Sequence, residues 1–129
     1  MNGDFTPESP SVVGTDFDTI SGLYSGRTIY FLEAGYPSST QCSSSQAQQA
    51  QFIDNIFTAW DQYINQIKLI SFFTLTDFSP QTVSQLETYY GLSSPCFGQY
   101  LGTLVLMTYS AQQKQAYMEL NTDAHVRGW

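Results

Sequence analysis

Two apolar runs rich in β-branched and aromatic residues constrain the fold of this 129-residue chain more than any other feature. They cover residues 28–32 and 67–75, and neither alternates strictly between apolar and polar side chains. Such runs are typical of strands that are buried on both faces. Between them, residues 43–65 carry apolar side chains at helical spacing, which predicts a long helix. A strand, a helix and a second strand in this order predict a right-handed crossover, a parallel pair of strands and therefore an α/β fold.

Further helices are predicted on both sides of this central unit. Thr15 or Asp16 can cap a short helix ahead of the first strand, and Gly26 ends it. Apolar residues recur at helical spacing in the last third of the chain as well, where the inner side of the final helix is predicted to consist of Ala116, Tyr117, Leu120 and Ala124. The predicted helices besides the central one cover residues 15–24, 81–90 and 111–126.

The remaining segments are predicted to be irregular. Residues 1–14 contain two prolines and are expected to form an extended N-terminal segment, so that residues 15–129 carry the single domain. Residues 93–98 are expected to form a loop because of their Ser, Pro and Gly content. Residues 104–107 are apolar and are predicted to form either a short strand or a buried connector.

The composition excludes several classes of partner. Eleven acidic and four basic residues give a net charge of −7, and the bases are scattered, so neither nucleic acid nor an anionic membrane surface is an expected partner. No apolar run approaches the roughly 18 residues that a membrane-spanning helix requires. Residues 1–4 show neither the basic start nor the apolar stretch of a signal peptide. Cys42 and Cys96 are too few for a zinc framework, and they can form one disulfide or remain two buried thiols.

Glu33 is the most informative candidate for chemistry. It ends the first predicted strand and precedes a Gly-Tyr-Pro loop. An apolar strand tolerates a terminal carboxylate where the chain leaves the core or where the acid has a partner. Ligands of parallel α/β folds bind at this end of the strands, so Glu33 is a candidate catalytic residue. The alternative is a solvent-facing acid that caps the following loop.

Asp77 follows the second predicted strand in the same way. Two adjacent parallel strands place Glu33 and Asp77 at one edge of the sheet, and paired carboxylates are the groups that glycoside hydrolysis uses. Asp77 can equally cap the helix that follows. Tyr36, Phe73 and Phe78 are candidates for stacking on sugar rings, although aromatic residues at such positions are more often packing residues.

Other kinds of site find no support in the sequence. A G-x-S-x-G elbow is absent, and His125, the one histidine, lies near the end of the last predicted helix. Metal-binding spacings such as H-x-x-x-H, C-x-x-C and the calcium-loop acid pattern are also absent. Because there is no G-x-G-x-x-G after a strand, a dinucleotide is not expected. We therefore predict neither a cofactor nor a metal ion.

The run Ile29-Tyr30-Phe31-Leu32-Glu33-Ala34-Gly35-Tyr36-Pro37 resembles the seventh-strand segment of clan A glycoside hydrolases. In these (β/α)₈ barrels a Glu that ends strand seven, often followed by Gly and an aromatic residue, is the catalytic nucleophile. The resemblance implies that Glu33 is the nucleophile, that residues 67–75 are strand eight and that residues 111–126 are the closing helix. The chain then corresponds to about the last quarter of a barrel of about 250 residues.

This resemblance implies a glycosidase site of which only half is present. The acid/base Glu of the family ends strand four, which this chain does not contain. We therefore expect a domain derived from a retaining glycosidase, with Glu33 as the catalytic residue and Tyr36, Phe73, Asp77 and Phe78 as sugar contacts. The alternative is a non-catalytic carbohydrate-binding or structural remnant that oligomerises through its strand edges. Whether the chain is an enzyme stays open, and an oligo- or polysaccharide is the expected partner in either case.

The resemblance also bears on assembly and on the cysteines. Two parallel strands leave two open edges, so the partial barrel is expected to be completed by self-association into a homo-oligomer. In a barrel, Cys42 and Cys96 lie in neighbouring loops on the carboxyl-end rim, which favours a disulfide between them. Such a bond implies an extracellular or otherwise oxidising compartment.

Overall fold

The computed structural model describes residues 5–92 and 94–129. This part of the chain contains five α-helices and two β-strands, and single turns of 3₁₀ helix cover Pro10–Val12 and Thr40–Cys42. The order of elements is α1 (Val13–Leu23), β1 (Ile29–Ala34), α2 (Gln46–Tyr63), β2 (Ile67–Phe72), α3 (Pro80–Tyr90), α4 (Pro95–Thr103) and α5 (Gln115–Val126).

The two strands pair in parallel, and α2 makes the crossover between them. This confirms the predicted α/β class and the parallel pair. Tyr30 lies opposite Leu69 and Phe31 lies opposite Ile70, but the register is irregular between Phe31 and Ala34. In that interval β1 advances by three residues while β2 advances by two, as in a β-bulge.

Helices α1 and α2 cover one face of this small sheet. The ring of Phe17 on α1 lies 5.1 Å from the ring of Phe31 on β1. On α2, the indole N–H of Trp60 donates a 2.7 Å hydrogen bond to the Ile67 carbonyl. The most deeply buried residues of this first core are Val13, Phe17, Ile56, Ala59, Ile67 and Ile70.

The opposite face of the sheet is exposed, so the prediction of strands buried on both faces was wrong for this chain. Tyr30 is 59% exposed, Leu32 69% and Leu69 43%. Because Tyr30 and Leu69 are register partners, they form one continuous apolar patch. The strand composition predicts a cover on both faces, but the described residues provide it only on the helical side.

Helix α5 packs against α2, and the two helices form a second core. Its predicted inner residues, Ala116, Tyr117, Leu120 and Ala124, all pack there together with Leu106. The helix begins at Gln115 and not at residue 111 as predicted. The connector alternative was correct for residues 104–107, since Leu104, Val105 and Leu106 are buried and only isolated bridges form at Met107.

One helix occupies a segment that was predicted to be a loop. Helix α4 begins at Pro95, which takes the first helical position, where its missing N–H costs nothing. Gly98 faces α3, and a Cβ atom there would meet the carboxylate of Glu87, so this flexible side chain would have to move aside. The Pro and the Gly of this segment therefore serve a helix start and a close helix contact. Ser93 lies outside the described residues.

Other boundaries differ by a few residues from the predicted ones. Helix α1 begins at Val13 and a 3₁₀ turn precedes it, so the extended N-terminal segment is shorter than the predicted 1–14, of which residues 1–4 lie outside the described residues. Strand β2 ends at Phe72 rather than at residue 75. Among residues 5–92 and 94–129, no helix has both the length and the apolar character needed to cross a membrane.

Candidate functional site

The carboxyl ends of β1 and β2 form one edge of the sheet, and the loop after β1 is held closely there. The Phe73 N–H donates to the Ala34 carbonyl at 3.0 Å, which continues the pairing by one residue. The Tyr36 N–H donates to the Leu104 carbonyl at 3.3 Å. Gly35 permits this approach, because a Cβ atom there would lie 3.0 Å from the side chain of Leu104.

The buried side chain of Gln49 on α2 also holds the loop that follows β1. Its side-chain amide donates to the carbonyl oxygens of Tyr36 at 2.6 Å, Thr103 at 3.1 Å and Val105 at 3.1 Å. The residue is almost fully buried. Gln46 and Gln51 are exposed, so Gln49 is the buried member of the Gln-rich start of α2. Its partners lie up to 56 residues away, so no local pattern could have shown the role.

Glu33 is exposed at the penultimate position of β1. It lies in the irregular interval between Phe31 and Ala34, where the strand departs from regular pairing. Bulges of this kind re-aim side chains at strand ends and are frequent beside active sites. Glu33 borders a groove of about 240 Å³, whose walls include Phe17 and Phe31.

Asp16 lines the same groove as Glu33. It lies in the first turn of α1, where sequence reasoning treated it only as a possible helix cap. Asp16 also borders an adjoining cleft of about 170 Å³ together with Glu8, Tyr36 and Tyr100. The structure therefore brings a second exposed carboxylate, which the sequence did not single out, to the groove of Glu33.

Tyr36 is buried, and both its ring and its hydroxyl have protein partners. The ring stacks on Phe52 with a centroid distance of 5.1 Å, and the hydroxyl donates to the Glu8 carbonyl at 2.7 Å. Burial raises the pKa of Tyr36 above its usual value. Part of the residue lines the cleft, so it shapes the site more than it offers a free stacking surface.

Phe73 and Phe78 form an edge-to-face pair, with ring centroids 5.8 Å apart and planes at 87°. Both are partly exposed. Phe73 directly follows β2 and lies next to Ala34 through the backbone hydrogen bond, so it is at the same sheet edge as Glu33. Phe78 borders a separate depression of about 360 Å³ between α3 and α4.

Asp77 is not a free carboxylate at the rim. Lys114 lies 2.7 Å from its Oδ2 atom, and the Val105 N–H donates to its Oδ1 atom at 3.2 Å. Burial raises the pKa of Asp77 and lowers that of Lys114, while the charge of each partner opposes these shifts. The cap of α3 is Ser79, whose hydroxyl accepts from the Thr82 N–H, so Asp77 is not the cap either. We assign Asp77 to the stabilisation of the fold and not to sugar binding.

The disulfide between Cys42 and Cys96 is present, with the Cα atoms 5.0 Å apart. It joins the segment after the β1 loop to the first turn of α4. Both residues are buried. The pairing that the resemblance implied is therefore confirmed, and the bond ties together two segments near the Tyr36 loop.

Comparison with known proteins supports the architecture. No protein-family model matches the chain, and no curated protein matches its sequence. Among solved structures, the crystal structure of xylanase B from Clostridium stercorarium F9 is similar, with a TM-score of 0.50 and 13% sequence identity. The match covers 91% of this chain and 33% of that one, so the chain spans about a third of the length of the xylanase. At this level of identity the similarity shows a shared partial fold.

Proposed function

We propose that this chain is a glycoside hydrolase-related domain in which Glu33 holds the nucleophile position of a retaining site. The observation that carries the proposal is the place of Glu33: it is exposed at the carboxyl end of a parallel strand, inside an irregular interval and beside a groove. Parallel α/β folds bind ligands at this end of their strands. The fold similarity to a xylanase agrees with a carbohydrate substrate.

The chemistry follows from the carboxylate. In the first step the Glu33 carboxylate attacks the anomeric carbon while the bond from that carbon to the leaving oxygen breaks, and the electron pair stays on this oxygen. A covalent glycosyl ester forms; water then attacks the same carbon and gives a proton to the group that protonated the leaving oxygen, while the bond from this carbon to the Glu33 carboxylate breaks. The leaving oxygen also needs a proton, and a positioned acid contributes on the order of 10²–10⁴ in rate.

Asp16 is the candidate source of this proton within the chain, because it lines the groove of Glu33. A second source is an acid from another copy of the chain. Whichever group is the acid, the first step no longer depends on it when the leaving group is stable as an anion. Dinitrophenyl glycosides therefore test the nucleophile independently of the acid.

The sharpest experiment uses dinitrophenyl glycosides of xylose, glucose and galactose and of their β-1,4-linked disaccharides. We expect the native chain to release dinitrophenolate and Glu33→Gln to release none above background. Azide added to Glu33→Ala is expected to restore release, with a glycosyl azide of inverted configuration as the product. An activated 2-deoxy-2-fluoro glycoside is expected to label Glu33, which peptide mass spectrometry detects.

Matched variants separate the roles in this experiment. Glu87→Gln removes an acid on α3 that does not line the groove, and it is expected to retain the native rate. Asp16→Asn should lower the rate only for poor leaving groups, if Asp16 supplies the proton. Release that is unchanged by Glu33→Gln would remove Glu33 from the mechanism, and no release from any substrate would contradict the enzymatic proposal.

The exposed sheet face favours a second candidate function, a non-catalytic remnant that self-associates. Among the described residues no third strand pairs with β1 or β2, so Tyr30, Leu32 and Leu69 present apolar surface beside two open strand edges. Pairing between the strand edges of neighbouring copies satisfies their backbone groups, and closure into a barrel encloses the apolar face. A closed symmetric assembly of partial barrels is the form that we propose for it.

Sedimentation of the native chain at micromolar concentration tests this second candidate. We expect an oligomer, and we expect Leu32→Ser, at the most exposed of the three positions, to shift the equilibrium toward monomer. The control is Leu23→Ser, an exposed leucine on α1 that should leave the oligomer unchanged. A compact monomer at this concentration would contradict self-association.

A further inference from the structure

Three carboxylates meet where α2 packs against α5. Asp54 belongs to α2, while Glu119 and Asp123 are four residues apart on α5 and so lie on one face of that helix. Each of the three offers a carboxylate oxygen, and these oxygens all lie within 4.8 Å of one another. We call these three residues the α2–α5 acid cluster.

The charge of the cluster is only partly balanced by Arg127. This guanidinium donates from Nη1 to Asp123 Oδ1 at 2.9 Å, but its other nitrogens bind Asp61, with Nη2 2.6 Å from Asp61 Oδ2. Arg127 is therefore shared between two acids, only one of which belongs to the cluster. Asp54 and Glu119 add two further negative charges to this seam.

Asp123 provides a second, independent observation. The residue is 7% exposed, and its Oδ2 atom is buried without a hydrogen-bond partner among the described residues. A buried carboxylate oxygen without a partner costs about 1–3 kcal/mol or more, and folded proteins rarely leave one unsatisfied. Asp123 Oδ2 therefore requires a hydrogen-bond donor or a cation, and the neighbouring carboxylates of Asp54 and Glu119 donate no hydrogen bond when they are ionised.

We propose that Asp54, Glu119 and Asp123 form a calcium site that links α2 to α5. All three ligands are hard carboxylate oxygens without nitrogen or sulfur, which suits Ca²⁺ or Mg²⁺ and not the softer transition metals. Ca²⁺ accepts irregular sets of six to eight oxygens, and the exposed side of Asp54 leaves room for water to complete the set. The proposal does not depend on the glycosidase assignment.

Two properties of the chain agree with this site. Burial and the charges of Asp123 and Asp54 raise the pKa of Glu119, as expected where like charges meet. The disulfide is typical of compartments in which calcium is abundant, and sites in extracellular modules bind Ca²⁺ at about 10⁻⁴–10⁻³ M. Asp54 on α2 lies at least 65 residues before the two acids of α5, Glu119 and Asp123, which are one helical turn apart. The three acids therefore form no contiguous sequence motif.

Thermal unfolding and calorimetry of the metal-free full chain test the proposal. CaCl₂ is compared with MgCl₂ and with NaCl at the same ionic strength. At tenfold the dissociation constant we expect Ca²⁺ to raise Tm by about 5 °C. Asp54→Asn, which changes an exposed residue and should fold, is expected to weaken calcium binding at least tenfold. Glu87→Gln, an equal charge change on α3, should keep the native response.

Each alternative result overturns the proposal. A Tm shift in CaCl₂ that does not exceed the NaCl shift means that the cluster only responds to screening. A native calcium response in Asp54→Asn places the binding elsewhere, and a response lost equally in Glu87→Gln means that net charge governs it. A MgCl₂ response equal to that of CaCl₂ contradicts the assignment to calcium.

Discussion

Lys114 Nζ lies 2.8 Å from Asp77 Oδ1 and 2.7 Å from Asp77 Oδ2, and both side chains are at most 5% exposed. Lys114 also donates to the Thr103 carbonyl at 3.1 Å. The pair thus joins the exit of β2, the end of α4 and the residue that precedes α5. It fixes the connector of residues 104–107 beneath the loop that follows Glu33.

Breaking this pair should destabilise the chain strongly. Asp77→Asn leaves the Lys114 ammonium buried without a counterion, and removing one partner of a buried pair costs about 3–5 kcal/mol. Urea unfolding measures the loss. The double variant Asp77→Asn/Lys114→Met removes the orphaned charge and is expected to recover part of it. A loss below about 1 kcal/mol in Asp77→Asn would mean that the pair contributes little.

Glu33→Gln should leave stability unchanged, in contrast to Asp77→Asn. Glu33 is exposed, and substitutions at such positions usually alter the free energy of unfolding by no more than about 0.5 kcal/mol. Urea unfolding of the variant beside the native chain measures this. The result matters for the activity assay, because activity lost in a stable Glu33→Gln protein reports on chemistry. A large drop in stability would instead reveal a structural contact of Glu33.

Reduction of the disulfide should weaken the segments around the Tyr36 loop. The bond closes a loop with a sequence separation of 54, and removing a native disulfide typically costs about 2–5 kcal/mol. Thermal unfolding with and without reductant measures the effect, and Cys42→Ser/Cys96→Ser is the variant without the bond. Alkylation of the denatured, unreduced chain is the control: two reactive thiols would show that the bond is absent.

The sequence predicts correctly those helices whose apolar residues recur at helical spacing. The stripe of α2 and the inner face of α5 follow from periodicity, and both were predicted. Helix α4 was missed because Pro95 and Gly98 were interpreted as loop residues, whereas they serve a helix start and a close contact with Glu87. A Gly at a close contact between helices cannot be told from a loop Gly without knowledge of its neighbour in the fold.

Of the candidate site, the sequence predicts only the residue whose place depends on a single strand, Glu33. Glu33 stands out because an acid ends an apolar run, and the structure places it at the expected sheet edge. Asp77 had the same pattern, but its partner Lys114 lies 37 residues further along the chain. Asp16 reaches the groove of Glu33 only because α1 packs beside β1. Pairings of this kind are set by tertiary packing, and no spacing rule in the sequence encodes them.

Tyr36→Phe should make the chain less stable at neutral pH and less sensitive to alkali. The substitution removes the hydrogen bond to the Glu8 carbonyl, which contributes about 1 kcal/mol. Burial raises the pKa of Tyr36 in the folded state above its unfolded value of about 10. The neutral phenol is therefore the form that the fold prefers, so its contribution is complete below about pH 10 and is lost as the pH rises through the folded pKa. Urea unfolding between pH 7 and 11 measures both effects, with Tyr109→Phe, at an exposed tyrosine, as the control. If the free energy of unfolding falls equally between pH 7 and 11 in Tyr36→Phe and in the native chain, Tyr36 does not ionise as a buried phenol.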